Sequence, residues 1–539
     1  MKGDFSRNTY EQRHHFARVL MQQGRVLIDA DWNEQTSILL HYIRTLAVDL
    51  IGQHGGPGNG FEISCSGDAD HAFDFVIGYG HYYVDGILCE NEPFSYCPSG
   101  EAPVPMTYTT QPDFPLLEND DEARLSGNTS YLVYLDVWER HLNHLQADHI
   151  REPALGGPDT ASRAQVVCQV KTVEITDDLQ NETDCSRLVN ALLPRRTLPC
   201  LRARARVEAA TDDPCLIPPI ARYRGAESQL YRVEIHDSDN EPGTTASASY
   251  KWSRDNGSVV FGIRSLQGST LTLETLGPDE RRSISENDWV EIVDDNSVLR
   301  FTSYGLYRVL TVDPVGFTVT VEVPGGTLLP VFDETSTTHP ILRRWDQGSD
   351  VLPVEPGKWI NLEDGVQVYF EAGGTYQTGD YWLIPARAAI GDLLWPDVTG
   401  PDGVSMPAAV RPRGIHHHRA PLRVISLDAN GIVSCEEDCR CGFDPHCAAA
   451  QIQTPTLGVG DRPPGRFPVT EVRGVGETFA FRLGAADIID ARDLVRREPA
   501  ELARILAPSR DRPIPIDRVE RIIENARRFI EGVDDDETD

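Results

Sequence analysis

Between Gly80 and Ala386 the apolar residues fall in short runs, most with a period of two, closed by Gly, Asp, Asn or Pro. That pattern commits the body of the chain to β-strands. The clearest case is GHYYVDGILCE at 80–90, where Tyr82-Tyr83-Val84 and Ile87-Leu88 flank Asp85-Gly86, a dipeptide suited to the left-handed turn of a two-residue hairpin. Tyr131–Trp138 and Ala164–Val173 read as buried strands around the Pro- and Gly-rich loop Arg151–Asp159. Tyr231–Ile235, Ser249–Trp252 and Ser258–Ile263 follow, with Asp255-Asn256-Gly257 as the turn between the last two. From Thr270 to Val323 the runs WVEIV, LYRVLTV and FTVTVEV alternate around closely spaced turns, which predicts a small barrel inserted in a larger β body. The expected class is mainly β and multidomain (α+β), with a β-sandwich or barrel body and helices at the two ends.

The N-terminal region breaks the β pattern. Ile38, Leu39, Tyr42, Ile43, Leu46 and Leu50 recur at three- and four-residue spacing, the stripe of an amphipathic helix. Asp31 with Glu34 three residues on predicts a capping box at its start, and Gly52 followed by Gly55-Gly56-Pro57-Gly58 predicts its end. Paired acids such as Asp29 and Asp31 are accounted for by that capping. After about residue 450 a Pro- and Gly-rich stretch, Thr454–Pro468, precedes helical spacing at Ala480–Ala486, Ala491–Arg497, Pro499–Leu506 and Asp517–Ile530. At about 150 residues per domain, 539 residues predict three or four domains. The expected map is a helical docking arm at 1–60, β-rich domains at 61–225 and 226–450 with the small barrel at about 268–325, a linker at 451–468, a helical module at 469–532 and an acidic tail at 533–539.

Fifty basic against 83 acidic residues give a net charge of −33. A surface that negative repels phosphate backbones and anionic headgroups, so binding of nucleic acid by the chain as a whole is not expected. Only Lys2, Lys171, Lys251 and Lys358 among the basic residues are lysines. Met1-Lys2-Gly3-Asp4 opens a polar stretch rather than a secretory apolar core, and 18 uninterrupted apolar residues occur nowhere. A cytoplasmic protein, assembled into a particle, is expected. The odd count of eleven cysteines then favours reduced thiols.

The strongest candidate site is Cys435, Cys439, Cys441 and Cys447, with His446 among them and His416-His417-His418 upstream. Four thiolates, or three with an imidazole, suit tetrahedral Zn²⁺, so a structural zinc is one reading; a disulfide within the cluster and unlinked thiols are the others. Asp237, Asp239 and Glu241 before Gly243 have the alternation of a calcium loop, but Pro242 intrudes and no acid stands at the twelfth position, which favours a solvated loop. Val472-Arg473-Gly474-Val475-Gly476 is a GxG turn ahead of helices and resembles a helix-hairpin-helix module of DNA-handling proteins. Arginines and acids are nearly balanced from Val469 to Gly532, so packing or protein interaction is favoured there over DNA. No GxSxG, HExxH, Walker or Rossmann signature is present. No catalytic residue or cofactor site is assigned.

MKGDFSR at 1–7, LMQQGRVLIDADWNEQ at 20–35, GHYYVDGILCENE at 80–92, LDVWERH at 135–141, REPALGGPDT at 151–160, YKWSRDNGSVVF at 250–261, LEDGVQVYF at 362–370, GDYWLIPARA at 379–388, GIHHHRAPL at 414–422 and DCR at 438–440 together resemble the DUF6519 family, over about residues 1–440. The resemblance implies a non-enzymatic baseplate or tail-fibre-like part of a phage-tail-like contractile injection system. Its partners would be other baseplate, sheath or tube subunits, with trimeric or six-fold self-assembly and contact with a membrane-bound partner. It also gives His416–His418 and Cys439 a structural role, and leaves the C-terminal helices as an appended unit. The readings from other classes are a glycan-binding or glycan-cleaving tail spike, with Trp345, Trp359, Tyr376, Tyr381 and Trp382 as groove candidates, and a DNA-associated protein acting through the C-terminal module.

Overall fold

Two long strands, Ser130–Leu142 and Arg163–Glu174, pair antiparallel in unbroken register from Tyr131↔Glu174 to Leu142↔Arg163. Tyr131–Trp138 is buried at every position, as a run apolar but for Asp136 requires of a strand covered on both faces. His418–Leu427 takes the other edge of Ser130–Leu142, and Val433–Asp438 completes a four-stranded sheet. The chain thus comes back nearly three hundred residues later to pair with its own first half. We describe the protein from a computed structural model over residues 1–65, 72–92, 105–114, 124–176, 178–179, 182, 184–205, 222–238, 248–323, 329–330, 332, 338–400, 403–443, 472, 475, 483, 488, 491–506 and 515–531.

The boundary expected at residue 225 is not a structural one. Leu201–Ala205 pairs with Val366–Phe370, and His54–Pro57 runs parallel to Gly442–Phe443 while pairing antiparallel with Gly80–Val84. Residues Met1–Pro445 form one compact unit and His446–Asp539 a second. The first unit is mainly β, in several sheets around separate apolar cores.

Gly80–Val84 and Ile87–Asn91 form the expected hairpin, with Asp85 and Gly86 at φ 47° and 76° in the left-handed region that a two-residue turn demands. The barrel is also present, but wider than 268–325. Val260–Gln267, Thr270–Leu273, Trp289–Val293, Leu306–Asp313, Thr318–Glu322 and Ile341–Trp345 close on one another, and the outermost two strands pair to seal the ring. Asp255-Asn256-Gly257 is a turn, though not a hairpin turn: Ser249–Ser253 belongs to a sheet with Gln229–Ile235, so the turn hands the chain from that sheet to the barrel.

Helix α1, Asp29–Ile51, begins two residues before the expected cap. Its N-cap is Ile28, with no side-chain capping bond, so neither Asp31 nor Glu34 caps it. The predicted end holds: the Gly52 N–H donates to the Val48 carbonyl, and Gly52 has φ 100°. In the C-terminal unit, helices Ala491–Val495, Pro499–Leu506 and Ile516–Glu531 pack through Leu494, Leu502, Leu506, Val519, Ile522 and Ala526. The linker at 451–468, the glycines of the GxG turn and the acidic tail lie outside the described residues. Among the described residues no helix is long and apolar enough to cross a membrane.

Candidate docking arm

The first three residues root the chain in a buried charge cluster. The odd residues of Gln229–Ile235, Tyr231, Val233 and Ile235, enter an apolar core, whereas Arg232 and Glu234 face the other way. On that face Glu234 stands opposite Lys251 in register, and Glu291, Arg343 and Trp345 approach from the barrel. Lys2 Nζ lies 2.8 Å from Glu234, and Lys251 Nζ lies 2.6 Å from Glu291 and 3.6 Å from Glu234. Arg232 pairs with Glu234 at 2.5 Å, and the Trp345 indole donates to Glu291 at 2.9 Å. The backbone of the arm is gripped as well. The Met1 amine donates to Tyr381 Oη at 2.6 Å, Asn256 Nδ2 donates to the Gly3 carbonyl at 2.9 Å, and Arg387 donates to the Ser6 carbonyl at 2.8 Å.

Four side-chain cations meet two carboxylates here, and the electrostatics follow. Burial pushes Lys2 down to about 8 against the pull of Glu234, and pushes Arg343 down to about 10. Burial also lowers the Met1 amine, with Arg232 and Lys2 adding to it. Burial alone would raise Glu234, but Arg232, Lys2 and Lys251 outweigh it and hold the carboxyl well below its ordinary range. Glu291 is held at about 2 in the same way, chiefly by Lys251. His141, whose ring meets Phe5 edge-on at 6.0 Å, is pushed down to about 3 by burial and then by the Met1 amine, Arg343, Arg232 and Lys2. Both carboxylates of the cluster are occupied by cations, so its chemistry is that of a lock.

Beyond the root, the acids expected to cap α1 instead hold the arm against it. Asp29 accepts from the Ser6 N–H at 2.8 Å, Glu34 from the Thr9 hydroxyl at 2.6 Å, and Gln35 from the Val19 N–H at 2.8 Å. The chain then turns at Gln22–Arg25, where the Arg25 N–H reaches the Gln22 carbonyl, and enters α1. Val26 and Leu27 are 84 and 75 % exposed, and Trp32 and Leu50 are 78 and 77 % exposed. Only Ala30 and Ile38 of α1 are buried. The predicted stripe exists, but apart from Ile38 it faces solvent: Leu39, Tyr42, Ile43, Leu46 and Leu50 are all exposed. A concentration of exposed apolar side chains of that kind on a folded body marks an interaction site.

The helix is braced at its middle. Arg44 pairs with Glu139 at 2.8 Å, and a Cβ at Gly86 would fall 2.2 Å from the Arg44 carbonyl, so the hairpin turn touches α1 where only glycine fits. Between α1 and the hairpin lies a groove of about 980 Å³, lined among others by Leu40, Ile43, Tyr83, Leu88, Glu90 and Glu92.

The zinc centre expected from the cysteines is corrected. Cys435 is bonded to Cys65 and Cys439 to Cys185, across sequence separations of 370 and 254, while Cys441 is an exposed free thiol. Disulfide sulfurs do not ligate zinc, and spacing within the cluster carries no trace of partners that remote. Cys447 and His446 lie outside the described residues. The expectation of reduced thiols fails for these four, whereas Cys89, Cys168, Cys200 and Cys441 are free. Two of the three histidines are tethers: His417 donates to Asp136 at 2.9 Å, beside Lys171 at 2.8 Å from the same carboxylate, and His418 donates to Asp85 at 2.8 Å. Burial lowers His416. The aromatic groove also fails, because Trp345, Tyr376, Tyr381 and Trp382 are buried, and Trp359 lies under Arg204 with 3.9 Å between guanidinium and ring centroid. Asp237 accepts from the Ser249 hydroxyl at 2.7 Å; Asp239, Glu241, Pro242 and Gly243 are outside the described residues.

The lock itself was missed by sequence reasoning. Its one signal was the scarcity of lysine: Lys2, Lys171 and Lys251 all pair with buried carboxylates, and only Lys358 is on the surface.

No curated protein and no solved structure matches the chain. A family model does, over residues 1–176 and 171–479, which takes in the arm, the lock, the barrel and the disulfide-bonded cysteines. Its description is a family of unknown function, DUF6519, and the protein belongs to that family.

Proposed function

We propose that the protein is a structural, non-enzymatic part of a phage-tail-like contractile injection particle, a baseplate or fibre component that works by binding its neighbours and transferring load. The observation that carries this reading is the arm: an apolar surface from Phe16 to Leu50 held on a β body by a buried charge lock. An element braced in this way resists being pulled out, while its displayed face supplies the contact. The link to injection particles rests on the family strings, and the load-bearing role on the geometry. Sheath, tube and other baseplate subunits are the partners, in a three- or six-fold arrangement, assembled from the cytoplasm and with a membrane-bound protein at one end. The test is co-sedimentation of the purified chain with sheath and tube proteins. Binding that requires residues 1–60 supports the reading, and turnover of a substrate by the lone chain, lost in a well-folded point variant, overturns it.

A further inference from the structure

The arm carries a charge opposite to that of the protein. Residues 1–28 hold five basic side chains, Lys2, Arg7, Arg13, Arg18 and Arg25, against Asp4 and Glu11, a net of +3 in a chain whose total is −33. Its turn, 16–28, exposes Phe16, Leu20, Met21, Val26 and Leu27 with Arg18 and Arg25 between them. The groove beside α1 presents the complementary surface, with Leu40, Ile43, Tyr83 and Leu88 in its walls and Glu90 and Glu92 at its edge. The Glu90 and Glu92 carboxylates and the His81 ring have ligand atoms within 4.8 Å of one another, so the acids are gathered rather than dispersed.

We infer that the 16–28 turn of one copy of this chain seats in the α1 groove of a second copy. This rests on the assembly reading above and names the partner that the arm takes. Its own groove is not filled by the turn: Phe16, Leu20, Met21, Val26 and Leu27 are exposed, and the Val19–Gln35 bond holds the segment against α1 ahead of Leu40, the first α1 residue of the groove. Apolar side chains enter the walls, and Arg18 and Arg25 meet Glu90 and Glu92. At physiological salt the screening length is about 8 Å, so the like net charges of two copies are damped while contacts made at the interface persist. The interface is head-to-tail, since turn and groove are different surfaces, and it generates a ring or a filament according to whether its rotation closes.

Sedimentation of the full-length chain tests this. The wild-type chain self-associates, and Leu20→Asp in the turn or Leu88→Asp in the groove each weakens association at least tenfold; both positions are exposed, and unchanged circular-dichroism melting confirms that the variants fold. A one-to-one mixture of the two variants is the decisive arm. Only the turn of the Leu88→Asp chain and the groove of the Leu20→Asp chain remain intact, so the mixture forms a heterodimer and nothing larger. A wild-type chain that stays monomeric, or a mixture that does, overturns the inference. A monomeric chain that still co-sediments with sheath and tube proteins through its arm overturns it while leaving the assembly reading in place. Self-association without any co-sedimentation supports it and counts against that reading.

Discussion

At the root of the arm Lys2 and the backbone of Met1 and Gly3 are held by buried polar groups of the body; from Phe16 to Leu50 most large apolar side chains are exposed. The two ends divide the work. A buried ion pair adds little net stability, because desolvation offsets attraction, but it is intolerant of error: removing one partner strands the others. Such chemistry fixes where the arm leaves the body. The displayed end has no directional demand and can adapt to the surface that covers it. The same division appears between the two faces of Gln229–Ile235, with Tyr231, Val233 and Ile235 in an apolar core and Arg232 and Glu234 in the lock.

The largest blow to this contrast is Glu234→Ala. It leaves Lys2, Arg232 and Lys251 facing one another without the carboxylate between them, and about 3–5 kcal/mol of stability is lost, read by denaturant unfolding. Limited proteolysis of the variant then cuts within residues 1–7 faster than in the wild type.

Gly86→Ala is next. The turn needs φ 76°, and the new methyl would meet the Arg44 carbonyl, so stability falls by about 1–3 kcal/mol and α1 is pushed from the hairpin. Exchange of the α1 amides, compared with those of Ser130–Leu142, reports the separation.

Acid weakens the root through His141. Its pKa is about 3 in the folded protein against 6.5 ordinarily, so between these values the unfolded chain binds more protons and stability is lost as pH falls from 6.5 towards 3. By pH 5 this loss is about 1–2 kcal/mol, and His141→Asn reduces the slope between 6.5 and 4.5, the remainder belonging to His54, His236 and His416, which burial also lowers. The charges facing the ring are the Met1 amine, Lys2, Arg232 and Arg343, all cationic, so protonation drives the root outward.

The smallest effect belongs to the displayed end. Leu27→Ser changes unfolding stability by no more than about 0.5 kcal/mol, because the side chain is already in water, and a larger loss would mean that the arm is packed on its own body.

What sequence reading reaches here is set by distance along the chain. The Asp85-Gly86 hairpin and the end of α1 at Gly52 were legible because turn chemistry and periodicity are local. The barrel was legible in kind, but its bounds were not, since its two sealing strands, Val260–Gln267 and Ile341–Trp345, lie outside the compact run of turns. The return of His418–Leu427 to Ser130–Leu142 and the Cys65–Cys435 and Cys185–Cys439 bonds were invisible, because no spacing encodes a partner hundreds of residues away. For α1 the stripe showed that the helix has an apolar face and nothing about what covers it. Asp29 and Glu34 were assigned to capping, the commonest task of acids at a helix start, whereas both bind the incoming arm.

Hydrogen exchange on the chain, free and then in the presence of sheath and tube proteins, addresses the central claim most directly. The account predicts that in the chain diluted to monomer the amides of residues 16–28 exchange quickly while those of Ser130–Leu142 are protected, and that binding slows exchange at 16–28 and leaves the long strands unchanged. Protection of 16–28 in the free monomer, or no change on binding, would contradict it.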